Sequence, residues 1–233
     1  MIACDTCLIR NRAICSVLDD TEVAGLNRIG RRRKVRRGET VIWEGDDAPV
    51  VANVLTGMLK LTSVTGDGRE QIVGVSFPSD FVGRPFGAGS GNSVTALTDA
   101  ELCVFARSSF DAFARSHPAL EHELLERTLA ELDRAREWML LLGRKSAGER
   151  VATFLLETSH RLGRQNCSTE ATDPDRFDLP LSRRQTADIL GLTIETVSRQ
   201  IGRLREAGII LPPVRRTIEI LDRDLLRAEA EQG

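Results

Sequence analysis

The chain contains no tyrosine, and its two tryptophans and eight phenylalanines make up an aromatic content of only 4%. Histidine is almost as scarce: His117, His122 and His160 are the only three, and each falls on a segment with helical periodicity. There is no Ser/His/Asp arrangement and no CxxC beside a βαβ pattern, so the combinations that nucleophilic, acid–base and dithiol chemistry require are missing and the chain does not read as an enzyme. No Gly-Lys-Ser/Thr sequence offers a nucleoside-triphosphate loop. No apolar run approaches the roughly 20 residues needed to cross a bilayer, and the opening MIACDTCLIR lacks the basic-then-apolar layout of a secretion signal. A cytoplasmic protein with no membrane partner is expected. The net charge of −2 over 233 residues gives no global attraction to polyanions, so any nucleic-acid site has to be local.

Such a local excess lies in Leu181–Leu211, LSRRQTADILGLTIETVSRQIGRLREAGIIL. Ser182 is suited to N-cap a first helix ending at Leu190. Gly191 suits the left-handed stop, and Thr193 suits the cap of a second helix. At 100° per residue, Val197, Ile201 and Leu204 share one face of that second helix, while Glu195, Ser198, Arg199 and Arg203 share the other. Ala187 is small enough for two helices to cross over it. From Leu181 to Arg216 seven arginines stand against three acidic residues, a local charge of +4. The exposed face has side chains for base readout: Arg199 for guanine, Glu195 for a cytosine amino group, and Ser198 for a base or a phosphate. Beyond Gly208 and Pro212-Pro213, Ile209–Leu211 and Thr217–Leu221 read as a hairpin with Arg215 and Arg216 at its tip, a wing suited to phosphate contacts.

Cysteine forms the second concentration. Cys4, Cys7 and Cys15 fall within fifteen residues. Disulfides are not expected in a reducing compartment, so three thiols this close point to a shared metal, either zinc or an iron–sulfur cluster, with small buried hydrophobes as the plain alternative. A fourth soft ligand is needed, and Cys103, in the strand-like run Glu101–Phe105, is the best candidate. Cys167, in the polar stretch 163–178, reads as a free thiol without a site role.

Between these two regions, Thr21–Ile29 has a helical pattern, and the basic cluster Arg31–Arg37 reads as a solvated edge ahead of a strand. Short β-rich runs follow at Thr40–Trp43, Val50–Leu55, Met58–Val64, Gln71–Ser76 and Glu101–Phe105, separated by Gly/Asp turns, and they indicate a sandwich or barrel. Pro118 opens a long helix extending to about Leu142. In it Leu125, Leu132 and Met139 recur every seven residues, with Thr128, Ala135 and Leu142 three later, which reads as a two-helix seam, with a core helix packed inside one protomer as the alternative. Ser146–Arg161 is a further amphipathic helix with Val151, Phe154 and Leu155 inward.

At Glu195-Thr196-Val197-Ser198-Arg199 the chain resembles the recognition helix of the cyclic-AMP receptor protein / fumarate–nitrate reductase regulator family of transcription factors. The Glu-x-x-Ser-Arg form is closer to the fumarate–nitrate branch. Gln200 departs from the motif, which often carries an aliphatic residue there, and Ile201 is expected to supply that packing. The resemblance spans almost the whole chain and implies an α+β fold. Its parts would be an N-terminal cysteine-rich segment (1–20), a cupin-like double-stranded β-roll sensor domain (21–117), a long dimerisation helix (118–144) and a C-terminal winged helix-turn-helix domain (145–233).

The resemblance also implies roles. Cys4, Cys7, Cys15 and Cys103 match the ligands of a [4Fe–4S] cluster in oxygen-sensing regulators. Glu195, Ser198, Arg199, Arg184, Thr196 and Arg203 would meet DNA, and Leu125, Leu132, Ala135, Met139 and Leu142 would pair two copies. The implied partners are a palindromic operator similar to TTGAT…ATCAA and RNA polymerase. Cyclic nucleotides are not expected. Such a pocket needs a Glu for the ribose and an Arg for the phosphate, whereas between Gln71 and Ala100 there is no Glu, and the one Arg, Arg84, precedes the glycines of Asp80–Asn92. That stretch reads instead as a loop near the metal site or against polymerase. A regulator of this family with zinc or no metal, answering another signal, is the alternative.

Overall fold

Two antiparallel sheets are the scaffold, and the side-chain alternation along their strands decides what each face meets. The computed structural model describes residues 4, 7–47, 49–87, 89–163, 175–211 and 216–231. The chain divides into two compact units, Met1–Glu131 and Leu132–Gly233.

In the first unit a short 3₁₀ turn, Ile14–Val17, leads into α1 (Asp20–Ile29), whose capping box joins Asp19 and Glu22. Eight strands follow: β1 (Gly30–Val35), β2 (Thr40–Ile42), β3 (Val50–Thr56), β4 (Leu59–Val64), β5 (Glu70–Ser76), β6 (Phe81–Val82), β7 (Ser93–Ala96) and β8 (Ala100–Ala106). They form sheets of order β1-β8-β3-β6 and β2-β7-β4-β5, the double-stranded roll of an α+β fold. Next come α2 (Arg107–Arg115) and α3 (Pro118–Arg144), and the boundary between the two units falls inside α3.

The first sheet is covered on both faces. Ala52, Val54, Leu102 and Val104 point into the core shared with the second sheet. Val51, Leu55, Cys103 and Phe105 point the other way, into a core built with Ile9, Ile14, Leu26, Phe110, Leu120 and Leu124. This second core packs the N-terminal segment, α1, α2 and the start of α3 against the back of the sheet.

Several expectations are corrected. Arg31, Arg32 and Arg33 do not merely precede a strand, because they lie in β1, the edge strand paired with β8. Arg32 and Arg33 reach Glu101 and Glu39 at 3.6 and 2.9 Å, which is how so charged a strand is tolerated at an edge. The stretch Asp80–Asn92 is not all loop, since β6 pairs Val82 with Ala52. β7 had no sequence signal at four residues. The expected strands at Met58, Gln71 and Glu101 shift their starts by one residue.

In the second unit α4 (Ala147–Gly163) buries Val151, Phe154 and Leu155 as expected. The final residues of the supposed polar loop form β9 (Arg176–Asp178). It was missed because only Phe177 of its three residues is buried. Then come α5 (Arg183–Leu190), α6 (Ile194–Glu206), β10 (Thr217–Glu219) and α7 (Arg223–Ala230), which was not anticipated and is capped by Asp222. β10 pairs with β9 and not with a strand at Ile209–Leu211. That stretch forms the isolated Ile210–Ile220 bridge, and its Leu211 N–H donates to the Glu219 carbonyl at 2.9 Å, so the expected hairpin is corrected to a β9–β10 sheet. Cys167 and Arg215 lie outside the described residues.

Candidate metal centre and nucleic-acid interface

The N-terminal segment is wound by turns in which Cys7 N–H donates to the Cys4 carbonyl at 3.1 Å and Ala13 N–H to that of Ile9 at 2.8 Å. Ala13 and Ile14 are fully buried and anchor it. The Arg10 guanidinium donates to the carbonyls of Cys15 and Leu18 at 2.5 and 2.8 Å, so the turn carrying Cys15 is held from inside. Because Leu102 and Val104 fill the roll interior, Cys103 faces the opposite side, toward this segment. Cys4, Cys7, Cys15 and Cys103 accordingly line one pocket, with Ile9, Val23, Leu26, Leu55 and Phe105 as its apolar wall and Arg10, Asn27 and Asn53 as its polar groups.

Burial favours the neutral thiol at Cys15 and at Cys103. Burial pushes the Cys15 thiol up to about 11, Arg10 opposing and Cys7 and Cys4 adding to the rise. Burial likewise pushes Cys103 up to about 12, and Cys4, Cys15 and Cys7 each add to it, so all three act on the strand thiol. Among the described residues no three His, Cys, Asp or Glu side chains converge where one metal ion could sit. A single tetrahedral ion with sulfur about 2.3 Å away needs its ligands within roughly 3.8 Å of each other. Sulfur is the donor that both zinc and iron–sulfur groups take, and four thiols line this pocket.

The second unit presents the reading element. The Ser182 side chain accepts from Gln185 N–H while Gln185 returns the bond, and Gly191 takes φ +60°, the left-handed region that ends α5. Thr193 caps α6 through Thr196 N–H at 3.2 Å. Val197, Ile201 and Leu204 are buried, as is Ala187 at the crossing. Glu195, Ser198, Arg199, Arg203 and Arg184 are exposed, and Thr196 is half-buried. The Glu195 carboxyl is held below the usual carboxylate range by its own backbone N–H and the Thr193 side chain, so it stays an acceptor. Gln200 is itself buried, accepting from Arg203 at 3.3 Å, so it packs alongside Ile201 and does not leave that task to it. Arg216 is exposed, with one guanidinium nitrogen on the Pro180 carbonyl at 3.1 Å.

Along α3, Leu125, Leu132, Met139 and Leu142 are exposed large hydrophobes, joined by Leu129, and Thr128 and Ala135 are exposed beside them. A soluble helix seldom leaves such a stripe uncovered.

Three supporting residues had no sequence signature. Arg150 donates to the carbonyls of Lys145, Leu142 and Leu190, tying the end of α3 to the end of α5. Arg127 reaches the carbonyls of Arg12 and Ser79. Asn53 sits opposite Cys103 on β3. An isolated Arg or Asn in a sequence does not say which carbonyl or cavity it will meet.

Comparison with known proteins fits both halves. Residues 149–229 match the Crp-like helix-turn-helix domain, and residues 32–117 match the cyclic nucleotide-binding domain. The transcriptional activator protein FnrL of Cereibacter sphaeroides is 45% identical over 227 residues, covering 97% of this chain and 91% of that protein. A probable transcriptional activator of Rhizobium leguminosarum bv. viciae is 44% identical, covering 97% and 92%. The structure of FixK2 from Bradyrhizobium japonicum superposes with a TM-score of 0.75 at 34% identity, covering 85% of this chain and 96% of that one.

Proposed function

The chain belongs to the CRP/FNR family of transcription regulators, in its FnrL-like branch, and from that premise we propose that it is a cytoplasmic, oxygen-responsive activator whose DNA binding depends on a [4Fe–4S] cluster. The observation that carries this reading is the set of four thiols lining one pocket. Cys4, Cys7, Cys15 and Cys103 would hold the cluster as thiolates, Cys15 and Cys103 giving up the protons that burial makes them retain. When bound, the cluster supplies a group that oxygen can destroy. Everything downstream belongs to the chain's own residues. Arg127 grips the carbonyl of Arg12, midway between Cys7 and Cys15, so a rearrangement of that segment pulls on α3. The stripe of Leu125, Leu132, Ala135, Met139 and Leu142 pairs two copies. A seam this modest, with small Ala135 and polar Thr128, can be shifted by a few kcal/mol.

The paired copies place two α6 helices in successive major grooves about 34 Å apart, which demands a near-palindrome. Glu195, Ser198 and Arg199 read bases, with Thr196, Arg184 and Arg203 beside them. The family resemblance suggests half-sites like TTGAT and ATCAA, with RNA polymerase as the partner on the promoter. The cyclic nucleotide-binding domain match describes the roll, and the missing ribose Glu and phosphate Arg argue against that ligand here.

The test is an absorption or Mössbauer spectrum, with iron and acid-labile sulfide, on anaerobically purified protein before and after air, and DNA affinity on the same sample. Cluster signals lost together with affinity support the proposal. Equal affinity for wild type and Cys4→Ala, with and without air, would point to a regulator with zinc or no metal answering another signal.

A further inference from the structure

Asn53 is out of keeping with its surroundings. It lies in β3, a central strand covered on both faces, and is only 2% exposed. Val51 and Leu55, its neighbours on the same face, are apolar, and so are Leu26 and Phe105 on the pocket wall. Its Oδ1 is buried with no hydrogen-bond partner. Buried side-chain polar atoms almost always have one, and here a leucine would fill the space without requiring it. The pocket that Asn53 lines is where a partner for it can sit.

The register says what that is. Asn53 stands directly across from Cys103, a pairing that puts both side chains on one face with Cβ atoms about 5 Å apart. Both line the thiol pocket. A metal-bound cysteine is a thiolate, an acceptor with no proton to give. A carboxamide carries an acceptor on one arm and two donors on the other, and which arm faces the pocket is set by the partner present. With thiolate or sulfide in the pocket, the amide turned over presents N–H. Arg10, the charged residue on the wall, already donates to the Cys15 and Leu18 carbonyls.

We propose that Asn53 is a cluster-contacting residue, donating an N–H···S hydrogen bond to the Cys103 thiolate or an adjacent sulfide and so slowing oxygen attack on the cluster. The inference rests on the cluster reading above. Hydrogen bonds to the sulfurs are among the levers that set iron–sulfur reactivity, because a donor withdraws charge from sulfur and makes electron loss harder.

The experiment compares full-length wild type, Asn53→Leu and Asn53→Thr after anaerobic loading, by resonance Raman and by bleaching of visible absorption in air. Asn53→Leu removes the donor and keeps the volume, and Asn53→Thr keeps a donor on a strand-compatible side chain. Asn53→Leu is expected to shift the Fe–S(Cys) stretches and bleach about tenfold faster, the size of effect one charge-assisted hydrogen bond commands, with Asn53→Thr in between. Wild type without iron or sulfide would overturn the cluster reading itself. A loaded wild type with unchanged stretches and bleaching in Asn53→Leu would overturn the inference alone. If Asn53→Leu folds but takes up no iron, recovery in Asn53→Thr supports the donor role, and failure to recover overturns it.

Discussion

Arg127 donates from Nη2 to the main-chain carbonyl of Arg12 at 2.5 Å, joining α3 to the turn between Cys7 and Cys15 across 115 residues of sequence. The same guanidinium donates to Ser79 O at 3.0 Å and to Glu123 at 2.6 Å, so each of its three nitrogens makes a bond. Lysine cannot reproduce that geometry. Arg127→Lys and Arg127→Ala should each lower the urea stability of the protein by about 1–3 kcal/mol. If this link carries the state of the pocket to the helix, both variants should load iron normally while their dimer content, by analytical ultracentrifugation, changes less on exposure to air. Full retention of the air response would remove Arg127 from the signalling route.

Cys103 alone among the four comes from the sheet, so its removal tests whether the strand takes part. Cys103→Ala deletes one small buried side chain and should leave the fold intact, lower the iron content sharply and abolish the air sensitivity of DNA binding. Cys167→Ala, at a position with no assigned role, should behave as wild type in the same assays. Equal iron content in the two variants would exclude the strand thiol as a ligand.

How much of this was legible in the sequence depends on how local each cause is. Ser182, Gly191 and Thr193 each act on backbone within a turn of themselves, and all three stand as the sequence implies. Bringing the distant strand thiol to the other three is not local, although the clustering of Cys4, Cys7 and Cys15 and the strand character around Cys103 could be read. Its facing could not, because β8 is buried on both sides and its alternation is hidden. β1 was obscured by its arginines and β9 by having three residues with only Phe177 buried, whereas β10 falls within Thr217–Leu221, which reads as a strand. Asn53 had no signal at all, since its meaning lies in a cross-strand partner fifty residues away.

The raised thiols predict a pH dependence. In the iron-free protein Cys15 and Cys103 lie at about 11 and about 12 instead of 9.0, held protonated by burial. The folded state then binds protons more tightly than the unfolded one. The stability this represents is complete below pH 9.0 and is lost as pH climbs through about 11 to about 12. Iron-free protein should melt progressively lower above pH 9.0 in calorimetric scans, and Cys15→Ala with Cys103→Ala should flatten that slope. Loaded protein, already ionised at sulfur, should lack this component, and loading at neutral pH should release protons measurable with an indicator dye. A melting profile identical in all three would mean the pocket is better hydrated than its apolar wall suggests.

Met139 and Leu132 are 73% and 45% exposed, too much apolar surface to leave in water on one stripe of α3. Leu132→Glu places a charge where the partner's helix would pack and should convert the protein to monomer at micromolar concentration. With two half-sites read together, as proposed, affinity for a palindrome should fall by far more than affinity for a single half-site. A dimer that survives Leu132→Glu would move the interface elsewhere.

The two arginines of the exposed face of α6 should fail differently when removed. Arg199 lies in the second turn, near the end that enters the groove, and is exposed beside Ser198 and Glu195. Arg203 lies one turn, about 6 Å, further along the axis, and holds Gln200 at 3.3 Å, a position suited to the phosphate backbone. A base-reading arginine discriminates, so Arg199→Ala should cost about 1–3 kcal/mol on the preferred operator and much less on operators altered at the base pair it reads. A phosphate contact attracts any sequence alike. Arg203→Ala should therefore weaken specific and non-specific binding together and reduce the slope of log affinity against log salt by about 1 per protomer. Titrations of both variants on intact and half-site-mutated operators over a range of salt separate the two. If Arg199→Ala lowers all affinities equally and flattens the salt dependence as Arg203→Ala does, then base reading belongs to Glu195 and Ser198 alone, and Arg199 is another contact to the backbone.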